Sequence, residues 1–292
     1  MPCTLGVIAH PRTRPRAARS AQSLSKLNPQ ELTQAVLARA RDLGADLAGV
    51  AGWDRVRTGP SYAVQPFLRD WHGVGAGHPG RAPGPALSFA PASLVVVGLS
   101  HPEDKPKLDW WQSHIPSRTL GNVKLAAITT GLADWLSSEH GVAAVDLAYH
   151  VERGGVFLKD AAVLAGLGVV GRNNLFLCPE FGPRVRLRAL AVEARLEPGE
   201  PLAWDPCVGC AASCHAVCPS QALASGGRVW PMGAPANLPG RDGSYERVRC
   251  NQQMEADIAA GREVTPPGRD KPCKQVRYCR RCELACPVGR RA

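Results

Sequence analysis

The sequence predicts a mixed α/β (α+β) protein in two parts, and three observations carry that prediction. Between residues 29 and 200, helical apolar periodicity alternates with short valine-rich runs, the order that packs helices on a sheet. Nine of the eleven cysteines lie beyond residue 201, leaving only Cys3 and Cys178 before it. The stretch from Leu196 to Trp204 reads as a linker between the parts. The predicted organisation is a basic tail over 1–28, a larger domain over 29–200 and a small cysteine-rich domain over 201–292.

Each element has its own signal. A helix starts after Asn28, with Asn28 as cap and Pro29 in first position. Leu32, Val36, Leu37 and Ala40 share one face, and Gly44 ends it. Ala45 to Ala51 reads as a strand. Gly59 to Pro91 is rich in Gly and Pro and reads as a long loop. Ser93 to Leu99 is a buried type of strand, and Leu108-Asp109-Trp110-Trp111 falls in a loop. Gly121 to Glu139 is helical, with Leu125, Ile128, Leu132 and Leu136 on one face. Val142 to Ala148 reads as a strand, Leu158 to Gly166 as a short helix, and Arg184 to Ala194 as a strand.

Composition narrows the class. A hydrophobic content of 45% is ordinary for a soluble globular chain. The apolar runs are far too short to span a bilayer and no signal peptide is visible. These features predict a cytoplasmic protein with no membrane partner, where clustered cysteines bind metal or do redox work. The net charge of +10 suits nucleic acid, acidic proteins and phosphorylated small molecules alike. The first 27 residues carry Arg12, Arg14, Arg16, Arg19 and Lys26 and no acid, as a flexible tail does.

The cysteines carry the chemistry. One run is C-V-G-C-A-A-S-C-H-A-V-C-P (Cys207 to Pro219) and the other C-R-R-C-E-L-A-C-P (Cys279 to Pro287), with Cys250 between them. Eight thiols suffice for two four-thiolate sites, and both runs end in the Cys-Pro step of two-cluster ferredoxins. There the cysteine before proline serves the other cluster. That pattern assigns Cys207, Cys210, Cys214 and Cys286 to one [4Fe–4S] cluster and Cys218, Cys250, Cys279 and Cys282 to the other. Zinc ribbons are the competing reading. Cys273 matches no standard run, Cys3 and Cys178 read as ordinary thiols, and the three residues between Cys210 and Cys214 exceed the usual two.

The same residues carry a wider resemblance. The C-x2-C-x3-C-x3-C-P run, Cys250 and Y-C-R-R-C-E-L-A-C-P resemble the electron-transfer module of the epoxyqueuosine reductase-like family. Upstream, Leu158-Lys159-Asp160-Ala161-Ala162 and A-G-L-G-V-V-G-R-N-N-L (Ala165 to Leu175) resemble that family's cobalamin-binding domain. P-E-F-G-P-R-V-R-L (Pro179 to Leu187) is similar to a form in the related reductive dehalogenases. L-D-W-W and Y-H-V-E-R-G-G (Tyr149 to Gly155) resemble a further branch.

The resemblance implies a nitroreductase-like cobalamin-binding domain followed by a ferredoxin-like domain with two [4Fe–4S] clusters. An external donor of ferredoxin or flavodoxin type would supply electrons, which pass through the clusters to cobalamin. The substrate would be an epoxide in a modified tRNA base, making tRNA a partner. Asp160 inherits the role of proton donor, its other reading being a helix cap. Gly166, Gly168 and Gly171 would let a corrin face approach the backbone, or else permit tight helix–strand packing. Arg172, Asn173 and Asn174 would meet corrin amides. Tyr149 and His150 sit past a strand, where pocket residues are common, and Arg153 would hold an acidic substrate group or face solvent.

The sequence departs from the family in ending five residues after Pro287, without the helical-repeat extension of longer epoxyqueuosine reductases, and in having C-P-V-G for C-P-W-N. Both departures bear on the tRNA substrate more than on the cofactors. Two alternatives stand beside this function. One is reductive removal of halide from a small molecule, and the other is a ferredoxin-type electron carrier without catalysis.

Overall fold

A computed structural model of the chain describes residues 27–61, 72–73, 76–77, 87–115, 118–151, 154–223 and 245–290. The basic tail through residue 26 with Cys3, most of the Gly59–Pro91 loop, and Arg153 lie outside these residues.

The first helix, α1 (Pro29–Asp42), begins where the sequence places it. Asn28 Oδ1 accepts from Glu31 N–H at 2.9 Å, and Glu31 returns a bond to Asn28 N–H at 3.0 Å. This reciprocal box satisfies two amides that the helix leaves without carbonyl partners. The helix ends as Gly44 takes φ +101°. Strand β1 (Leu47–Gly52) follows, then a one-turn helix α2 (Trp53–Arg57) absent from the sequence expectation. Two short strands, β2 (His72–Gly73) and β3 (Ala76–Gly77), form a ribbon.

Strand β4 (Ser93–Ser100) is the centre of the main sheet. A short 3₁₀ turn at Pro106–Leu108 leads to β5 (Trp111–Gln112). Helix α3 (Leu120–His140) is capped by Thr119, whose hydroxyl accepts from Asn122 N–H, and stops at Gly141 with φ +66°. Then come β6 (Ala144–Asp146), α4 (Leu158–Leu164), β7 (Val169–Val170), β8 (Phe176–Leu177) and β9 (Val185–Val192).

The sheet order is β1-β4-β9-β6, and every pairing is antiparallel. The architecture is therefore the α+β form of the expectation. Val95 and Val97 of β4 point into a core with α1 and α3, where Leu125, Leu132 and Leu136 have no exposed surface. Leu94 and Val96 point into a second core with Ala161, Ala162 and Val163 of α4. A strand covered on both faces reads as a continuous apolar run, as Leu94 to Val97 does. The linker is tied to this body. Leu196 N–H donates to Ser93 Oγ at 2.8 Å, and Glu197 N–H to Thr33 Oγ1 at 2.8 Å.

Beyond the linker lie α5 (Ser213–Ala216), α6 (Arg247–Ala259), β10 (Arg262–Val264), β11 (Cys273–Val276) and α7 (Arg281–Ala285). Strand β11 pairs with β10 on one edge and with β5 on the other, Gln275 opposite Gln112 and Val276 opposite Trp111. The cysteine-rich part thus borrows a strand from the larger part. Arg277 stacks on Trp110, 4.2 Å from the ring centre, and reinforces the seam. Among the described residues, no helix is long and apolar enough to cross a membrane.

Candidate functional site

The cysteines assemble across the two runs. Cys207, Cys210 and Cys214 of the first run line one cavity with Cys286 of the second, beside Asn173 and Leu177. Cys282 in turn lies within electrostatic range of Cys250, Cys279 and Cys218. Each run's Cys-Pro cysteine has therefore crossed to the other run's partners, as two-cluster ferredoxin spacing requires. Local turns make this possible. Gly209 takes φ +71° and Ala212 φ +52°. Ala212 turns the chain into α5, which carries Cys214, so this turn takes up the additional residue of the Cys210–Cys214 spacing.

Burial and mutual repulsion disfavour ionisation of these thiols. Burial, then the neighbouring Cys250, Cys279 and Cys218, push Cys282 up to about 12. Burial, then Cys286, Cys207 and Cys210, push Cys214 up to about 11. Cys207, Cys279 and Cys286 are also raised, with burial the leading cause. Thiolates crowded in a half-buried space need cations among them, and a cationic iron core meets that need. Backbone donors are in place. Arg172 N–H points to Cys207 Sγ at 3.4 Å, and Ala222 N–H to Cys218 Sγ at 3.2 Å. Such bonds to sulfur tune a cluster's potential. Among the described residues, no three His, Cys, Asp or Glu side chains gather as they do around a single metal ion. The donor set, the shared cavity and the Arg172 N–H···S bond fit an iron–sulfur cluster at the first quartet; at the second, four mutually sensed thiols and the Ala222 N–H···S bond make the matching donor set.

Cys273 has a different partner. Its buried Sγ, on β11, lies 3.1 Å from His114 Nδ1, and Cys273 does not line the cavity of the first quartet. Cys178 is a buried thiol in the larger part, raised chiefly by burial.

A buried ionic network joins the cysteine-rich part to the sheet. Asp109, from the L-D-W-W segment, meets His101 Nδ1 at 2.7 Å, Arg186 at 3.0 Å and Arg280 at 2.7 Å. Glu283 meets Arg186 at 2.8 Å and also pairs with Arg280. Burial alone raises the Asp109 carboxyl; the His101 hydrogen bond and the charges of Arg186, His101 and Arg280 outweigh it and hold the carboxyl below its ordinary range. Arg280 and Glu283 lie inside the second cysteine run, so the network braces the loop that presents Cys279 and Cys282. Neither Arg186, Arg280, Glu283 nor His101 stood out in the sequence. The available signal was a charged pair within a run whose cysteines have to be buried.

The residues matched to a cobalamin domain are placed differently from the expectation. Asp160 has no exposed surface. Its Oδ2 accepts from Ser61 N–H at 2.7 Å and its Oδ1 from Ser61 Oγ at 2.9 Å. Phe157, not Asp160, occupies the cap position of α4, which removes the capping reading. The carboxylate ties α4 to the segment following α2. The glycines are filled by the chain itself, for a Cβ on Gly168 would lie 2.0 Å from Leu177 O and one on Gly171 2.4 Å from Leu177 Cδ1. A Cβ on Gly166 would lie 2.6 Å from Glu200 O. Their requirement for glycine is met by tight packing, the second of the two expected readings.

Asn173 Oδ1 accepts from Leu175 N–H, and Lys159 Nζ donates to the backbone and side-chain oxygens of Asn174. The Gly171–Asn174 turn thus abuts the first cysteine quartet. Tyr149 and His150 stack edge to face at 5.1 Å, with Tyr149 exposed. The described residues therefore fit clusters, while these contacts do not form a corrin cradle.

The P-E-F-G-P-R segment has a clear structural partner. A Cβ on Gly182 would lie 2.0 Å from Val288 O, and one on Gly289 would lie 2.1 Å from Gly182 N. The C-P-V-G end of the second run is seated on it, backbone against backbone.

No family model matches the chain. It is 27% identical over 223 residues to the tetrachloroethene reductive dehalogenase of Dehalobacter restrictus, covering 66% of this chain and 39% of that protein. It is 38% identical over 74 residues to the epoxyqueuosine reductase of Bacillus cereus, covering 25% of this chain and 19% of that protein. The chain thus spans about two fifths or less of the curated relatives it matches.

Among solved structures, a reductive dehalogenase described with a mechanism for B12-dependent dehalogenation superposes with a TM-score of 0.59 at 18% identity, over 94% of this chain and 34% of that one. An epoxyqueuosine reductase with an epoxyqueuosine-modified tRNA-Tyr stem loop gives 0.57 at 18%, over 90% and 66%. The Bacillus subtilis epoxyqueuosine reductase, with its catalytic aspartate loop swung out of the active site, gives 0.55 at 18%, over 90% and 66%. The chain has the fold shared by the epoxyqueuosine reductases and the reductive dehalogenases, and its sequence is similar to both.

Proposed function

We propose that this chain is an iron–sulfur- and cobalamin-dependent reductase of the epoxyqueuosine reductase type, reducing an epoxide in a modified tRNA base or a related substrate. The observation that carries the redox reading is the crossed assembly of eight cysteines into two quartets against one body. Cys207, Cys210, Cys214 and Cys286 hold one [4Fe–4S] cluster, and Cys218, Cys250, Cys279 and Cys282 the other. When bound, these clusters supply one-electron transfer, fed by an external donor of ferredoxin or flavodoxin type. The protein orients them through the Asp109–Arg186–Glu283–Arg280 network and excludes water from the buried Cys286 side.

The cobalamin half of the reading is supported by the likeness to a relative described as B12-dependent, with no step assigned to the cofactor. Asp160 is the proton donor in this proposal. Both its oxygens accept hydrogen bonds from Ser61. For Asp160 to donate a proton, Ser61 has to release it. Movement of the aspartate-bearing loop in the Bacillus subtilis reductase supports such an exchange.

A second reading is reductive dehalogenation of a small molecule, favoured by the sequence match to a tetrachloroethene dehalogenase over 223 residues against 74 for the epoxyqueuosine reductase. One set of experiments decides. The protein is reconstituted with iron, sulfide and cobalamin and passed through a desalting column. Retained corrin absorbance and iron support the cofactor reading, and loss of corrin removes it. Accumulation of epoxyqueuosine in tRNA from a strain lacking this protein supports the first substrate. Normal queuosine in that strain, with turnover of halogenated compounds by the reconstituted protein, transfers the assignment to the second.

A further inference from the structure

The buried charges beneath the second cysteine run do not cancel. Three guanidinium groups, those of Arg184, Arg186 and Arg280, lie there with two carboxylates, Asp109 and Glu283. Arg186 and Arg280 share both carboxylates. Arg184, at the entry to β9 and 8% exposed, forms no close ion pair among the described residues; the Glu283 charge that favours its charged form is already shared by Arg186 and Arg280. It donates instead to backbone carbonyls, those of Glu283 at 3.3 Å, Cys286 at 3.1 Å and Val288. Arg290 adds a second guanidinium on the same loop, bonded to the Leu284 carbonyl, and lies close enough to disfavour the Arg184 charge.

A buried guanidinium without a counter-charge is costly. It persists where an anion lies alongside. Beside the shared Glu283, the candidate is the first quartet, because the group that Arg184 holds is the loop of Cys286, whose sulfur also favours the guanidinium charge. A thiolate-ligated iron–sulfur core carries net negative charge and becomes more negative on reduction. A fixed positive charge beside it therefore favours the reduced form and raises its potential.

We propose that Arg184 is the positioning and charge-compensating residue of the cluster held by Cys207, Cys210, Cys214 and Cys286. One guanidinium fixes three carbonyls of the Cys286 loop, and its charge sets that cluster's potential above what it is without Arg184. The inference rests on the cluster reading of the quartets. It makes the P-E-F-G-P-R segment a seat for the cluster loop, with Gly182 allowing the close approach of Val288 and Arg184 supplying the charge.

The test is an EPR-monitored redox titration of the anaerobically reconstituted full chain, comparing wild type with Arg184→Met and Arg184→Lys. The expected result is that one of the two cluster signals moves to lower potential in Arg184→Met while the other stays. Arg184→Lys, which keeps the charge, holds that signal near the wild-type potential. Unchanged potentials in Arg184→Met overturn the proposal, as do equal shifts in the Met and Lys variants. Should Arg184→Met lose one cluster and keep the other, the anchoring role is supported and Arg184→Lys decides the charge. A cluster restored at wild-type potential then supports the proposal, and one restored at a lowered potential overturns it. Wild-type protein that takes up iron into neither quartet sinks the cluster reading itself, an outcome distinct from all of these.

Discussion

Arg186 stands between Asp109 and Glu283, with Nη2 3.0 Å from the first carboxylate and 2.8 Å from the second. Arg186→Met leaves two partly stranded carboxylates in the seam, a change that costs about 3–5 kcal/mol when a buried pair is broken. Denaturant unfolding at neutral pH measures it. The pH dependence has a defined sign. Asp109 is held below its ordinary range, so its contribution is present above the unfolded carboxyl value of about 3.9 and is lost as pH falls through the lower folded value. Wild-type protein is expected to hold this contribution down to about pH 4, and Arg186→Met, in which the Asp109 carboxyl is less depressed, to have less of it to lose below that pH.

The crossed quartets predict which cysteine substitutions are equivalent. Cys286→Ser should remove the same cluster signal as Cys207→Ser, although the two lie in different runs. Cys218→Ser should match Cys282→Ser. Each variant should retain about half of the wild-type iron and the other cluster's spectrum. If Cys286→Ser behaves instead like Cys282→Ser, the uncrossed pairing is correct.

Ser61 and Asp160 form a two-pronged contact with both partners buried. Ser61→Ala removes the hydroxyl prong, a buried hydrogen bond to the carboxylate, at a cost of about 1–3 kcal/mol. Thermal or denaturant unfolding checks that figure. Activity assays of the reconstituted protein check the other role. If Asp160 is the proton donor, Asp160→Asn loses turnover while both cluster signals remain.

Glycine positions separate packing from conformation. A Cβ at Gly168 would lie 2.0 Å from the Leu177 carbonyl oxygen, and backbone cannot rotate aside as a side chain does. Gly168→Ala is expected to destabilise by about 3 kcal/mol or more. Gly44 has φ +101° and nothing near its missing Cβ, so Gly44→Ala carries only the conformational cost, about 1–2 kcal/mol. Paired unfolding curves test the contrast.

The parts of this fold legible in the sequence are those set by local chemistry. Asn28 and Glu31 write the start of α1 within four residues, and Leu125 to Leu136 write the buried face of α3. The grouping of Cys286 with Cys207, Cys210 and Cys214 around one cavity follows the order that thiolate spacing in the two runs suggests. What stayed hidden depends on distant partners. Strand β5 is two residues long and exists because β11 lies beside it. Arg184 and Cys286 meet only once β9 and α7 are docked. The glycine string of Ala165 to Leu175 admitted two occupants, and nothing local distinguishes a corrin from Leu177 and Glu200.

Cys273 offers a clean control. Its thiol faces His114 at 3.1 Å, so Cys273→Ser should leave iron content and both cluster signals unchanged. Loss of either signal would place Cys273 among the ligands and displace one of the eight.

The exchange of Cys218 and Cys286 between the two runs also governs the order of assembly. During synthesis the first run emerges with three of its own cluster's ligands and none of the other's remaining three, apart from Cys218 itself. It has no complete site until the second run arrives. In the proposed assignment neither site is complete before the second run is made, and cluster loading follows the docking of α7 onto Arg184.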